Sequence, residues 1–340
     1  MRMARHSYWI SALVIACVVA TSVWLARKRL ASTQGPIEKV TIASLSLPGA
    51  GLFFVSEDKG FFREQGLDVH LQNFLVGKLA LESLFRGEAA FAIAGDTPLV
   101  FSVLGGRNLE LLSTVYQPNG GISILAHKDR VPSPGDLRGK RLGVTFISSG
   151  QFVADSYLVM HGIPQAEVTM LDLPQREMVE GLLMGNLDAA CLWQPNLAEA
   201  QAKLGDKGIT FPDDGLRAFR LSLVANHGYA AQHPRQVYKL LTALKQAESY
   251  ITENPTESLR IMGRATDIPE ATFKRFFDPA DYRIGLEQGL LLAFEDQSRW
   301  AIKHGFVKAD KMPNYQDIIQ PNGLHGVSPE SIKIVHEAPP

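Results

Sequence analysis

The sequence predicts a bilobed α/β protein, and three observations predict it. "LESLFRGEAAFAIAGDTP" (81–98) aligns without gaps on "VEGLLMGNLDAACLWQPN" (179–196). Each stretch reads as a helix with one apolar face, a stopping glycine (Gly87 or Gly185) and a short Ala-rich buried strand. Upstream, "KVTIASLSLPGAGLF" (39–53) and "KRLGVTFISSGQF" (140–152) share the order strand, small-residue turn, helix start. Between them, "GLDVHLQNF" and "AEVTMLDLP" alternate as strands do. Each half therefore runs strand, helix, strand, helix, strand, which the handedness and layer rules turn into a mostly parallel sheet covered by helices on both faces.

Taken in chain order, the first element is a segment free of charge from Tyr8 to Ala26, bounded by Arg5 and by Arg27, Lys28 and Arg29. At about 1.5 Å per residue it nearly spans a hydrocarbon core of roughly 30 Å. Residues 1–31 are therefore expected to be an uncleaved membrane anchor, with a cleaved signal segment or a lipidated Cys17 in the box Val14-Ile15-Ala16-Cys17 as alternatives. The two repeated halves follow. Two extended apolar runs, "GGISILAHKD" and "FRLSLVANHGY", flank the second half as paired linker strands would. They divide the chain into a first lobe (38–124 and 224–340) and a second (125–223). Beyond them, "PRQVYKLLTALKQAESYI" places Val237, Leu240, Leu241 and Leu244 on one helical face, and a later helix ends near His304-Gly305. These helices are expected to pack on the first lobe.

Composition narrows the function. The 340 residues are 46% apolar, which suits folded lobes rather than a disordered chain. Removing the five cations of the first thirty residues from the 34 basic ones leaves 29 against 35 acidic, a net charge of −6, which argues against a nucleic-acid partner. Cys17 and Cys191 are the only cysteines and lie in different environments, so no disulfide framework is available. No Cys-x-x-Cys, His-Glu-x-x-His, phosphate loop or Gly-x-Ser-x-Gly elbow occurs, and the nine histidines are scattered, so neither a metal nor another cofactor is expected.

What remains is a set of small-residue loops at strand ends, where sheets of this type bind ligands. They are residues 47–51, 95–98, 147–151 and 193–196. Ser148-Ser149-Gly150-Gln151 would offer helix-start N–H groups and hydroxyls to an anionic head group, or Ser148 or Ser149 would simply cap the helix. Thr97 precedes Pro98 as a cap would, and Asp96 could meet a cationic or amino group of a ligand. Pro48-Gly49-Ala50-Gly51 either lets a ligand approach the backbone or makes a tight turn. Trp193 could stack on a ligand or belong to the core.

At "GLFFVSEDKGFFREQGLDVHL", "GEAAFAIAGDTPLV", "SPGDLRGKRLGV", "EMVEGLLMGNLDAACLWQP" and "WAIKHGFV" the chain resembles the nitrate/sulfonate/taurine class of substrate-binding proteins of ABC importers. Aliphatic-sulfonate and thiamine-precursor binders are among its relatives. The resemblance covers about residues 38–310. It implies a type II periplasmic-binding-protein fold, two α/β lobes joined by two linker strands with a ligand cleft between them. The class's contacts carry over to Pro48, Gly49, Ala50 and Gly51, to Asp96 and Thr97, to Ser148, Ser149, Gly150 and Gln151, and to Trp193, Gln194 and Pro195. The implied protein is a monomer on the periplasmic face. It binds a small anionic or zwitterionic solute, partners an ABC permease and its ATPase, and catalyses nothing. The ligand-sensing domain of a signalling system is the alternative, and a pyrimidine-precursor-binding protein or enzyme a further one.

Overall fold

A computed structural model describes residues 36–211, 219–309 and 311–335. The anchor expected over residues 1–31, with Cys17, lies outside the described residues. The first repeat unit begins with β1 (Glu38–Leu45), α1 (Gly51–Lys59), β2 (Leu67–Phe74), α2 (Gly77–Phe85), β3 (Phe91–Gly95) and α3 (Asp96–Leu104), and β4 (Leu109–Tyr116) closes it. The second unit starts with β5 (Ile122–His127), then β6 (Arg141–Val144), α4 (Ser149–Met160), β7 (Thr169–Asp172) and α5 (Gln175–Leu183). It continues through β8 (Ala189–Trp193), α6 (Asn196–Leu204) and β9 (Gly208–Phe211). The chain then returns through β10 (Leu221–Asn226) to a helical tail of α7 (Pro234–Glu253), α8 (Pro255–Thr266) and α9 (Gln288–Lys303).

The internal repeat holds in three dimensions. The sheets run β2-β1-β3-β10-β4 and β7-β6-β8-β5-β9, so every strand of one has a counterpart at the same place in the other. The glycines that stop α2 and α5, Gly87 (φ 73°) and Gly185 (φ 75°), both take the left-handed conformation that ends a helix at low cost for glycine alone.

The two runs read as linker strands also pair within the sheets. β5 lies inside the second sheet, antiparallel to β8 and β9, and β10 lies inside the first, antiparallel to β3 and β4. Both are buried over almost their whole length, and buried backbone N–H and C=O groups must find partners, which sheet membership supplies. The chain therefore passes from the first sheet to the second between Tyr116 and Ile122, and from Leu221 onward it belongs to the first sheet again.

The helical tail packs as its periodicity predicts. Val237, Leu240, Leu241 and Leu244 of α7 are buried, and the Ser56 hydroxyl of α1 donates to Ala243 O (3.3 Å). α9 ends at Lys303 with Gly305 at φ 70°, and its buried face carries Leu290, Leu291, Phe294, Gln297 and Trp300. No helix of the described residues is long and apolar enough to cross a membrane.

Candidate ligand-binding cleft

The loops singled out from the sequence lie at the carboxyl ends of β1, β3, β6 and β8, and two of them meet. Thr97, on the first turn of α3, and Ser149, on the first turn of α4, come from different sheets, and their hydroxyls are 2.8 Å apart. Thr97 Oγ1 also donates to Oε1 of Gln297 on α9 (2.6 Å). All three side chains are buried, and Nε2 of Gln297 has no partner. Beside Thr97, Asp96 is fully buried. One carboxylate oxygen, Oδ2, accepts from Arg220 Nη1 (3.1 Å), while Oδ1 has no partner. Burial pushes the Asp96 carboxyl above its ordinary range, and the Arg220 guanidinium opposes that shift. A carboxylate expected to wait for a cationic ligand group is thus already half engaged.

The serine turn divides its labour. Ser148 caps α4: its Oγ accepts from Gly150 N (3.1 Å) and donates to Thr145 O (2.6 Å), so both partners belong to its own turn. Gln151 folds back so that its Oε1 accepts from Ile147 N (2.7 Å), bracing a non-glycine residue at φ 54°. Ser149, unlike Ser148, bonds to the other half. Gly150 carries no side chain where a Cβ would stand 3.3 Å from the Trp193 ring. Trp193 is half-buried, its backbone N–H donates to Gln175 Oε1 (3.1 Å), and Gln194 Oε1 accepts from Ala198 N (3.1 Å) at the start of α6.

Pro48, Gly49, Ala50 and Gly51 are all buried. A Cβ on Gly49 would stand 2.5 Å from Leu221 and 2.7 Å from Tyr116, and one on Gly51 would stand 2.5 Å from Tyr282 and 2.6 Å from Met262. The missing side chains make room for the protein's own aromatic cluster.

A second junction between the halves lies along α4. Trp300 Nε1 on α9 donates to Asp155 Oδ2 (2.9 Å), and His304 Nε2 lies 3.8 Å from the same oxygen. Rings of both halves surround the indole: Phe152 of α4 at 5.5 Å, Phe101 of α3 at 6.2 Å and Phe306 at 5.2 Å, all edge-on. Burial raises the Asp155 carboxyl, and the indole N–H and His304 oppose this.

Sequence reasoning missed Gln297, Arg220 and Asp155. Gln297 had a signal: it is a polar residue on the apolar stripe of α9, three residues from both Phe294 and Trp300. Arg220 and Asp155 had none, since each acquires its partner only across the fold. Among the described residues no group of His, Cys, Asp and Glu could hold a metal ion.

Two sheets of matching strand order, with the helix starts at their strand ends meeting through hydroxyls, define a two-lobed protein of the type II periplasmic-binding fold. The chain belongs to the NMT1/THI5 like family, whose pattern matches residues 48–258. It is 22% identical over 232 residues to a binding protein of Brucella abortus, covering 66% of this chain and 70% of that one. It is 24% identical over 221 residues to the taurine-binding periplasmic protein of Escherichia coli, covering 63% and 68%. The crystal structure of the periplasmic aliphatic sulphonate binding protein SsuA from Escherichia coli superposes with a TM-score of 0.74 at 16% identity, over 83% of this chain and 97% of that one.

Proposed function

We propose that the protein is the extracytoplasmic solute-binding component of an ABC importer of the nitrate/sulfonate/taurine type, taking a small anionic or zwitterionic organic solute between its lobes and passing it to a permease and ATPase. The observation that carries this reading is the Thr97–Ser149 contact, which joins the two halves at strand ends beside buried polar atoms that lack partners. A ligand touching both lobes binds the closed arrangement better than an open one, and so drives closure. Family membership and the taurine- and sulphonate-binding relatives support the same reading. In it the protein binds and releases its solute unchanged, and the apolar segment Tyr8–Ala26 holds the lobes near the permease.

The test is a thermal-shift screen of the full chain in mild detergent with taurine, 1-propanesulfonate, nitrate and 4-amino-5-hydroxymethyl-2-methylpyrimidine. A solute at 100 times its Kd adds about 2.7 kcal/mol, readily seen as a raised Tm. Hydrogen exchange around Thr97 and Ser149 should slow in the complex. No shift with any of the four, or consumption of a solute by the purified protein, would refute the reading. Fractionation tests the tether: the chain should stay with membranes through carbonate washing, and its appearance in the soluble fraction would refute that part alone.

A further inference from the structure

Gln297 is fully buried, and one end of its amide is committed to Thr97 while the other has no partner. Turning the amide end for end only exchanges which atom is left over. A buried polar atom without a partner costs about as much as a lost hydrogen bond, so a position with a purely structural role gains nothing from a second polar atom there. Asp96, next to Thr97 in the chain, presents a second such atom in Oδ1, also buried and unpartnered. A donor and an acceptor are thus left open beside the two hydroxyls through which the lobes touch. A solute offering an acceptor oxygen to the amide would complete the set.

We infer that Gln297 is a specificity-determining residue of the cleft, its Nε2–H donating to an acceptor oxygen of the solute where Thr97 and Ser149 join the lobes. The inference rests on the solute-binding reading above and extends it, because α9 lies outside the stretch that the family pattern matches. The donor is a neutral amide, so the acceptor is recognised by direction rather than by charge. Arg220, the nearby cation, is paired with Asp96. α9 thereby becomes a third wall of the site, tied to the first lobe through Thr97 and to the second through the Trp300–Asp155 bond.

The substitution that isolates this role is Gln297→Glu in the full chain. It keeps an oxygen to accept from Thr97 Oγ1 but replaces the N–H donor with an acceptor. For whichever of the four named solutes raises the wild-type Tm, calorimetry at neutral pH should find Kd weakened by about thirtyfold or more. Affinity relative to wild type should recover as the pH is lowered, because a protonated carboxyl again carries a donor. An unchanged Kd in Gln297→Glu overturns the inference. If that variant does not fold, Gln297→Met takes its place, with a loss of about tenfold expected and none overturning the inference. A wild-type chain that responds to none of the four solutes fails at an earlier step, so failure of the solute-binding reading is distinguishable from failure of the role assigned to Gln297.

Discussion

Replacing Trp300 by Phe should loosen the junction between the lobes while leaving its ring packing largely in place. Asp155 is 5% exposed and Trp300 7% exposed, and a 2.9 Å hydrogen bond joins the indole N–H to that carboxylate. With the indole N–H gone, Oδ2 keeps only His304 at 3.8 Å, and Oδ1 has no partner to begin with. A hydrogen bond to a charged group contributes about 1.5–3 kcal/mol, so the working value is about 2 kcal/mol. Any separation of α4 from α9 returns Asp155 to water, so the loss falls on the closed arrangement and should weaken solute affinity about thirtyfold. A double-mutant cycle with Asp155→Ala, read by calorimetry and by urea unfolding, isolates the pair. The sign with pH is a further check. Burial raises the Asp155 carboxyl, so the native state holds its proton to higher pH than the unfolded chain, and this group's contribution to stability falls as pH rises. Losing the N–H raises it further, so the variant's deficit should be larger at pH 8 than at pH 5. A coupling energy below about 0.5 kcal/mol would refute the reasoning.

Three other outcomes are expected. Ser148→Ala should lower Tm by the loss of a cap, about 1 kcal/mol, and leave solute affinity unchanged, whereas Ser149→Ala should weaken affinity with a smaller change in Tm; calorimetry and melting curves separate the two. Gly51→Ala places a methyl 2.5 Å from the Tyr282 ring, which is hemmed in by Tyr116 and Phe277, and should cost about 1–3 kcal/mol in urea titration. Burial and neighbouring Asp278 push the Asp281 carboxyl up to about 7, above its unfolded value of 3.8, so its contribution is fully present below that lower value and is lost as pH rises toward 7. Asp281→Asn should therefore flatten the decline of stability between about pH 4 and 7 by up to about 1.4 kcal/mol per pH unit, and an unchanged pH profile of Tm would contradict it.

The repeat was the most legible part of the chain, because helix, glycine stop and buried strand each leave a local mark, and "LESLFRGEAAFAIAGDTP" and "VEGLLMGNLDAACLWQPN" carry all three at the same spacing. How the linker runs pair was not legible, for a physical reason. An extended buried run looks the same in sequence whether it connects two sheets or pairs within one, and pairing is decided by partners more than sixty residues away. Within the candidate site, the sequence could mark Ser148 and Ser149 together but could not divide them, since capping and facing another lobe differ only by the rotation of one residue about the helix start. Gly49 and Gly51 show the same limit: small residues advertise free space, and only the positions of Tyr116, Leu221, Tyr282 and Met262 reveal that it is already filled.

The interleaved placement of β10 has a consequence for the order of assembly. All five strands of the second sheet, β5 to β9, come from one uninterrupted stretch between Ile122 and Phe211. The first sheet is divided: β4 pairs with it only through β10, which follows the whole second lobe in the chain. During synthesis, which proceeds from the N-terminus, the second lobe has every strand it needs while the earlier-made lobe still lacks an inner one. The lobe that begins the chain is thus the one that must wait. Until Leu221–Asn226 arrives, β3 and β4 present open backbone edges of the kind that invite pairing with other chains.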